Sequence, residues 1–227
     1  MNKHERRTLA RNIVFQRTNL SRLAGGGFRK YVLPYSWRVR LDSLIYCDAI
    51  ISEYKKEMQS EWDRLKPFAP PRASRIMDIG CGVGGVHIFM DEIVHDSDAS
   101  IFLVDRNHES RKIHYGFQSE ASAYNSLDLT KRFLVDHGIP TDRIRLLDID
   151  VDSLPVVAFD FIFSLISWGF HYPVDTYLEY AKTALKDDGV MILDCRHGTK
   201  GAERLSEFFK VEQVDESKTS MRVRCTR

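Results

Sequence analysis

The sequence predicts an α/β chain: a doubly wound, mostly parallel sheet of seven strands that ends in an antiparallel hairpin and carries an N-terminal helical cap. Three observations predict it. From about residue 72 onward, short apolar runs alternate with segments of helical periodicity, the pattern of a parallel sheet covered on both faces. The glycine-rich stretch MDIGCGVGG, residues 77–85, directly follows the first of those runs. Near the end, 209–214 and 221–225 read as two strands joined by Asp215-Glu216-Ser217-Lys218, hence a hairpin.

In chain order, residues 4–22 read as a basic helix ended by Gly25-Gly26-Gly27. A second helix fits 37–65, where Leu41, Leu44, Cys47, Ile51, Tyr54, Met58, Trp62 and Leu65 recur at three- and four-residue steps. Pro67, Pro70 and Pro71 stop it, so that residues 1–71 form the cap and 72–227 the sheet domain. A first strand approaches through Ser74-Arg75-Ile76, the glycines turn the chain, and Val86-His87-Ile88-Phe89-Met90 can continue as a helix. Further strands are expected at 101–105, 143–147, 159–163 and 190–193, the last preceded by the turn Lys186-Asp187-Asp188-Gly189, with helices near 128–137 and 174–185.

The 227 residues suffice for one large domain with a well-buried core, and 43% apolar with 29% charged residues is the balance of a soluble globular protein. No apolar run approaches membrane-spanning length, and the start MNKHERRTLARNIVF lacks the apolar core of a signal peptide. Cys47, Cys81, Cys195 and Cys225 are scattered without a C-x-x-C pair, which argues for reduced thiols in a cytoplasmic protein and against a zinc or iron–sulfur site.

Charge is unevenly spread. Lys3, Arg6, Arg7, Arg11, Arg17, Arg22, Arg29, Lys30, Arg38 and Arg40 face Glu5 alone, so about +9 in the first forty residues is offset by about −8 in the rest. Such a segment can lean on the acidic remainder of its own chain, meet a phosphate-bearing substrate, or serve a nucleic acid or membrane surface. Lying outside the sheet unit, it is expected to act on the substrate rather than on a cofactor.

A strand, a glycine turn and a helix let a ligand rest against main-chain N–H groups. Two spacings coexist here. Gly80, Gly82 and Gly85 satisfy G-x-G-x-x-G, a dinucleotide pattern, while Asp78, Gly80, Gly82 and Gly84 satisfy D-x-G-x-G-x-G. A pyrophosphate over this turn would meet the Asp78 carboxylate in repulsion. S-adenosylmethionine carries no phosphate but a sulfonium and an ammonium, for which an acidic strand end is attractive, so Asp78 favours it. Asp105 closes the second strand, where a carboxylate can take both ribose hydroxyls. The stretch Asp148-Ile149-Asp150-Val151-Asp152-Ser153-Leu154-Pro155 follows the third strand, where an acid can accept from an adenine amino group and the next N–H can reach a ring nitrogen.

With MDIGCGVGG, IFLVD, DIDVDSLP and FDFIFSLISWGF in this order, the sequence over 75–227 resembles the class I S-adenosylmethionine-dependent methyltransferases, whose sheet is Rossmann-like. The resemblance implies S-adenosyl-L-methionine as cofactor. It implies that Asp78, Gly80, Gly82 and Gly84 hold the methionyl end, with Cys81 among them in the cofactor set, that Asp105 holds ribose, and that Asp150 with the Val151 backbone reads adenine, Asp148 being the other candidate. Ser164, which opens the stretch after the fourth strand, completes the expected cofactor set. The segment 106–142 is longer than a simple connection and contains His114-Tyr115-Gly116-Phe117 and Tyr124-Asn125-Ser126-Leu127; it either shapes a substrate pocket or is a surface excursion.

Ser164-Leu165-Ile166-Ser167-Trp168 lacks the Asn/Asp-Pro-Pro-aromatic tetrad of enzymes that methylate exocyclic base amines, and no Pro-Cys or Thr-Cys nucleophile suits carbon-5 of a pyrimidine. A hydroxyl acceptor benefits from a nearby base. His171, in Trp168-Gly169-Phe170-His171-Tyr172-Pro173, is the first candidate, with loop packing as its other reading. His197 is the second, with Arg196 beside it for a substrate phosphate. Trp168 and Tyr172 are either core or a stacking platform. The expected activity is O-methylation of a small polar acceptor such as a sugar or nucleotide-linked sugar. An RNA methyltransferase and a non-catalytic cofactor-binding protein are the alternatives.

Overall fold

A computed structural model describes residues 1–23, 35–91, 93–94, 99–107 and 125–227. The expected helix stop at Gly25-Gly26-Gly27, and His114 to Phe117 with Tyr124 of the long connection, lie outside the described residues.

Helix α1 (Lys3–Gln16) opens on a capping box in which Asn2 accepts from Glu5 N and Glu5 accepts from Asn2 N. It ends earlier than the expected 22, giving way to a 3₁₀ turn over Thr18–Leu20. The polar side chains there bond outward instead of continuing the helix: Asn19 donates to Glu57 at 2.6 Å and Ser21 to Asp42 at 2.5 Å. The single helix expected over 37–65 is two, α2 (Tyr35–Ile45) and α3 (Cys47–Leu65), divided at Tyr46. Their buried sides differ. In α2 Asp42 is turned inward to accept from Ser21 and from Leu23 N, whereas α3 buries Ile50, Tyr54, Met58, Trp62 and Leu65 against the sheet.

The strands are β1 (Arg75–Ile79), β2 (Ser100–Asp105), β3 (Ile144–Asp148), β4 (Phe159–Ser164), β5 (Leu185–Arg196), β6 (Lys210–Glu216) and β7 (Ser220–Thr226). They form one sheet in the order β3-β2-β1-β4-β5-β7-β6. The first five run parallel, and only β7 runs against its neighbours β5 and β6. The turn expected at residues 186–189 is instead an irregularity at the start of β5, where the register jumps from Phe159↔Leu185 to Phe161↔Val190. Helices α4 (Leu127–Asp136), α5 (Asp175–Ala184) and the short α6 (Gly201–Ser206), which the sequence did not suggest, complete the fold.

Alternate strand residues face two layers. Ile76, Ile101, Leu103, Phe161, Phe163, Val190 and Ile192 meet α1, α3 and α4 in one continuous core. Met77, Ile79, Val104, Ile162, Met191 and Leu193 meet α5 and α6 on the other face. Residues on both sides of position 71 therefore enter the first core. Because α3 fills that side of the sheet, the helix expected after the glycine turn shrinks to a 3₁₀ segment, Gly85–Phe89, with Tyr54 and Met58 pressed against Gly85. The chain winds one way from β1 to β2 and β3 and the other way through β4 and β5. The crevice where ligands enter such sheets is therefore at the C-terminal ends of β1 and β4.

Candidate active site

The glycine turn leaves β1 at that crevice. Gly80 and Gly82 take φ of 78° and 53°, a conformation that favours residues without Cβ. Neighbours close in as well: a Cβ on Gly80 would collide with Ser167, and one on Gly82 would fall 2.6 Å from Gln16 Oε1. The turn's N–H groups are engaged inside the protein. Gly80 N and Cys81 N donate to Val104 O at 2.7 and 3.2 Å, Gly84 N to Cys81 O at 2.8 Å, and Gly85 N to the Tyr54 hydroxyl at 3.1 Å. Gly82 N donates to Asp105 Oδ2 at 2.7 Å. Cys81 is buried beneath the turn, and burial pushes its thiol well above its ordinary pKa.

Asp105 ends β2, half-buried beside the turn, and also accepts from Asn125 Nδ2 at 3.2 Å and from Arg106 N at 2.7 Å. Burial raises its pKa to about 6, against the lowering effect of the Gly82 and Arg106 bonds. Asn125 and Thr130 together cap Gly82 O, at 2.7 and 2.9 Å. The long connection thus returns to the turn at Asn125. Sequence reasoning quoted this residue without assigning it a role; its place immediately before the α4 cap Ser126 was the available signal.

Asp78 is placed differently from the expectation. It is 3% exposed, and its Oδ2 lies 3.0 Å from His87 Nε2, so its partner is a side chain of the segment after the turn. Burial raises its pKa, partly countered by His87. His87 Nδ1 is buried without a hydrogen-bond partner among the described residues. The Asp78–His87 pair braces the turn from below, an arrangement that no spacing rule announces.

Beyond β3, Asp150 lies 3.3 Å from Arg106 Nε, which links the ends of β2 and β3. The Val151 side chain is 80% exposed, and its N–H donates to Asp148 O at 3.0 Å, while Asp148 Oδ1 accepts from Asp150 N at 3.1 Å. In this conformation the Val151 N–H expected at the adenine ring is held in the turn.

The loop after β4 closes over the crevice. Ser164 is fully buried and works as a clip, donating to Ile79 O at 2.6 Å and accepting from Trp168 N at 2.8 Å, so that its hydroxyl joins the ends of β1 and β4. Ile166 has φ of 59°, a strained value for a β-branched residue, and its N–H donates to Asp194 Oδ2 at 3.2 Å. Trp168 is core, its indole N–H donating to Val174 O at 2.7 Å. Tyr172 is half-buried, and together with Tyr177, whose pKa burial pushes up to about 12, it feels the charges of Asp105, Arg106 and Asp150. Tyr177, a residue the sequence did not single out, meets the Trp168 ring edge to face with centroids 5.7 Å apart.

His171 is exposed and tied back through its N–H to Ser167 O at 2.7 Å, the residue over Gly80. Partial desolvation of its ring, and then the Arg196 charge, lower its pKa. His197 faces elsewhere: its Nε2 lies 3.0 Å from Ser217 O in the β6–β7 turn. Below the loop, Arg222 reaches Asp194 through Nε and Nη2 at 2.7 and 3.0 Å and also pairs with Glu61 of α3.

No family model matches the chain, and no curated protein matches it. Solved structures do. The precorrin-6y C5,15-methyltransferase of Geobacter metallireducens GS-15 is 18% identical, with a TM-score of 0.50 over 77% of this chain and 88% of that one. A candidate O-methyltransferase of Nostoc punctiforme PCC 73102 is 15% identical, with a TM-score of 0.50 over 82% and 60%. A protein of Pyrococcus horikoshii OT3 is 15% identical, with a TM-score of 0.51 over 75% and 91%. At such identities the likeness is one of fold, and the fold of this chain is that of the class I S-adenosylmethionine-dependent methyltransferases.

Proposed function

We propose that this protein is an S-adenosylmethionine-dependent methyltransferase that methylates a hydroxyl of a small polar acceptor such as a sugar or nucleotide-linked sugar. One observation carries the choice of cofactor: the turn's N–H groups are already engaged, Gly82 N with the Asp105 carboxylate at 2.7 Å. A dinucleotide needs those donors for its pyrophosphate, and it would meet Asp105 there instead. A cofactor without phosphate needs only the bare backbone and the acid. The residues fit it: Asp105, which accepts from Gly82 N, Arg106 N and Asn125 Nδ2, keeps lone-pair capacity for a ribose hydroxyl.

S-adenosylmethionine supplies an electrophilic methyl group when bound. The protein's own contribution is positioning, exclusion of water and acceptance of a proton. The lowered pKa of His171 keeps its ring unprotonated at neutral pH, as a base for a hydroxyl requires, and Arg196 beside it suits an anionic acceptor. Incubation with methyl-labelled cofactor and a pool of polar metabolites, read by intact mass, tests the reading. Label in hydroxyl-bearing small molecules supports it. Label only in added RNA, with binding that weakens steeply with salt, replaces it with the nucleic-acid reading.

A further inference from the structure

We infer that the outer face of α2 seats the protein on a lipid bilayer with anionic headgroups. A surface helix ordinarily turns its apolar side to the core and its polar side to water. Helix α2 is built the other way round. Arg38, Asp42 and Ser43 are buried on its inner side with Val39, while Trp37, Leu44 and Ile45 stand 58%, 50% and 62% exposed on the outer one. Leu41 lies between them at helical spacing, and Tyr46 extends the face past the end of the helix. The polar residues pin this orientation. Asp42 accepts from Ser21 Oγ at 2.5 Å and from Leu23 N at 3.1 Å. Arg38 lies 5.5 Å from the centre of the Tyr35 ring, whose hydroxyl donates to Val14 O of α1 at 3.4 Å. Turning α2 over to bury Trp37 would break these contacts, so a contiguous apolar stripe stays outward.

Charge selects the occupant. Ten Lys and Arg residues face Glu5 alone in the first forty positions. Arg40 is exposed on the outer face itself, and the exposed Arg22 precedes Leu23, which is tied to Asp42. Arg6 stands at the other end, paired with Asp48 two residues past Tyr46. Aliphatic side chains with a Trp and a Tyr, ringed by arginines, match the boundary between acyl chains and anionic headgroups. A nucleic-acid backbone would meet the arginines but leave the aliphatic side chains in water. A second copy fits less well. Five apolar side chains are a small part of the roughly 20–30 residues that a stable interface uses on each side. Across a two-fold axis the same arginines would also face one another.

Trp37 is its own reporter, because the other two tryptophans, Trp62 and Trp168, are buried in the fold. The full chain is titrated with vesicles of phosphatidylcholine and phosphatidylserine in a three-to-one ratio, and with vesicles of phosphatidylcholine alone. The mixed vesicles should carry the protein into the pellet and shift the Trp37 emission to the blue. Phosphatidylcholine alone should bind on the order of 10- to 100-fold more weakly, and added salt should weaken binding to the mixed vesicles. Leu44→Ser with Ile45→Ser should lower affinity for the mixed vesicles by about 10- to 100-fold while the melting temperature holds, both side chains being exposed. No binding to the mixed vesicles, binding that leaves the Trp37 emission unmoved, or a variant that binds like the wild type would overturn the assignment. A dimer in sedimentation equilibrium that the same variant dissociates would give the face to a second copy instead.

Discussion

Asp105 concentrates the electrostatics of the site on one carboxylate. It is bonded to Gly82, Arg106 and Asn125, so Asp105→Ala removes an acceptor for the ligand and loosens the turn at once. The expected loss is about 1–3 kcal/mol of cofactor affinity, and unchanged affinity by calorimetry would take Asp105 out of the site. Ribose hydroxyls donate to the ionised form. With the pKa raised to about 6, affinity should therefore rise with pH through that value and level off above it. The sign for stability is opposite. The folded chain holds this proton more tightly than the unfolded one, so the contribution of Asp105 is full below about pH 4 and is lost as pH rises toward 6. His171 shifts the other way. As the base, it places the acid limb of turnover below its ordinary value, and His171→Ala should lower turnover by about two to four orders of magnitude and abolish that limb. A variant with wild-type turnover and the same limb would assign His171 to loop packing.

At the scale of elements, what is local in sequence was legible and what is assembled across the chain was not. Glycines at alternate positions behind a strand, and an acid closing the next strand, are neighbours in sequence, and they announce the turn and Asp105 directly. Periodicity located α3 but read Tyr54 as core alone, although its hydroxyl also holds Gly85 N. Ser164 was expected in the cofactor set, and the two bonds its hydroxyl makes inside the fold join chain segments 85 and 4 residues away. The buried Arg222 has partners 28 and 161 residues away, a separation that leaves no pattern to read. This cluster ties α3, β5 and β7 together, and through Asp194 it holds the strained Ile166 in the loop over Gly80. Arg222→Met leaves the buried Asp194 without its cation and Glu61 with Arg64 alone, and should cost about 3–5 kcal/mol in denaturant unfolding. A loss under 1 kcal/mol would mean the cluster is wetter than its burial implies.

Across the whole molecule, the N-terminal helices and the sheet form one body. Leu9, Ala10, Ile13 and Val14 of α1 are buried in the same core as Phe161 and Ile192, and Gln16 touches the glycine turn. We propose that the basic N-terminal segment, expected to act on the acceptor rather than on the cofactor, also supports the glycine turn. Deleting residues 1–22 should lower the melting temperature and the cofactor affinity together, and a truncated chain with wild-type values of both would restore a purely substrate-facing role. Basic residues there are partly matched within the chain, as Arg6 is by Asp48 at 2.6 Å, so charge in this segment is not by itself a nucleic-acid footprint. The function of the molecule turns on one choice at the glycine turn, between a ligand with phosphates and one without. Titration calorimetry of the full chain with S-adenosylhomocysteine and, separately, with NAD addresses it most directly. Saturable heat with S-adenosylhomocysteine and none with NAD is the expected result, whereas tight binding of NAD with no response to S-adenosylhomocysteine would contradict a phosphate-free ligand at this turn.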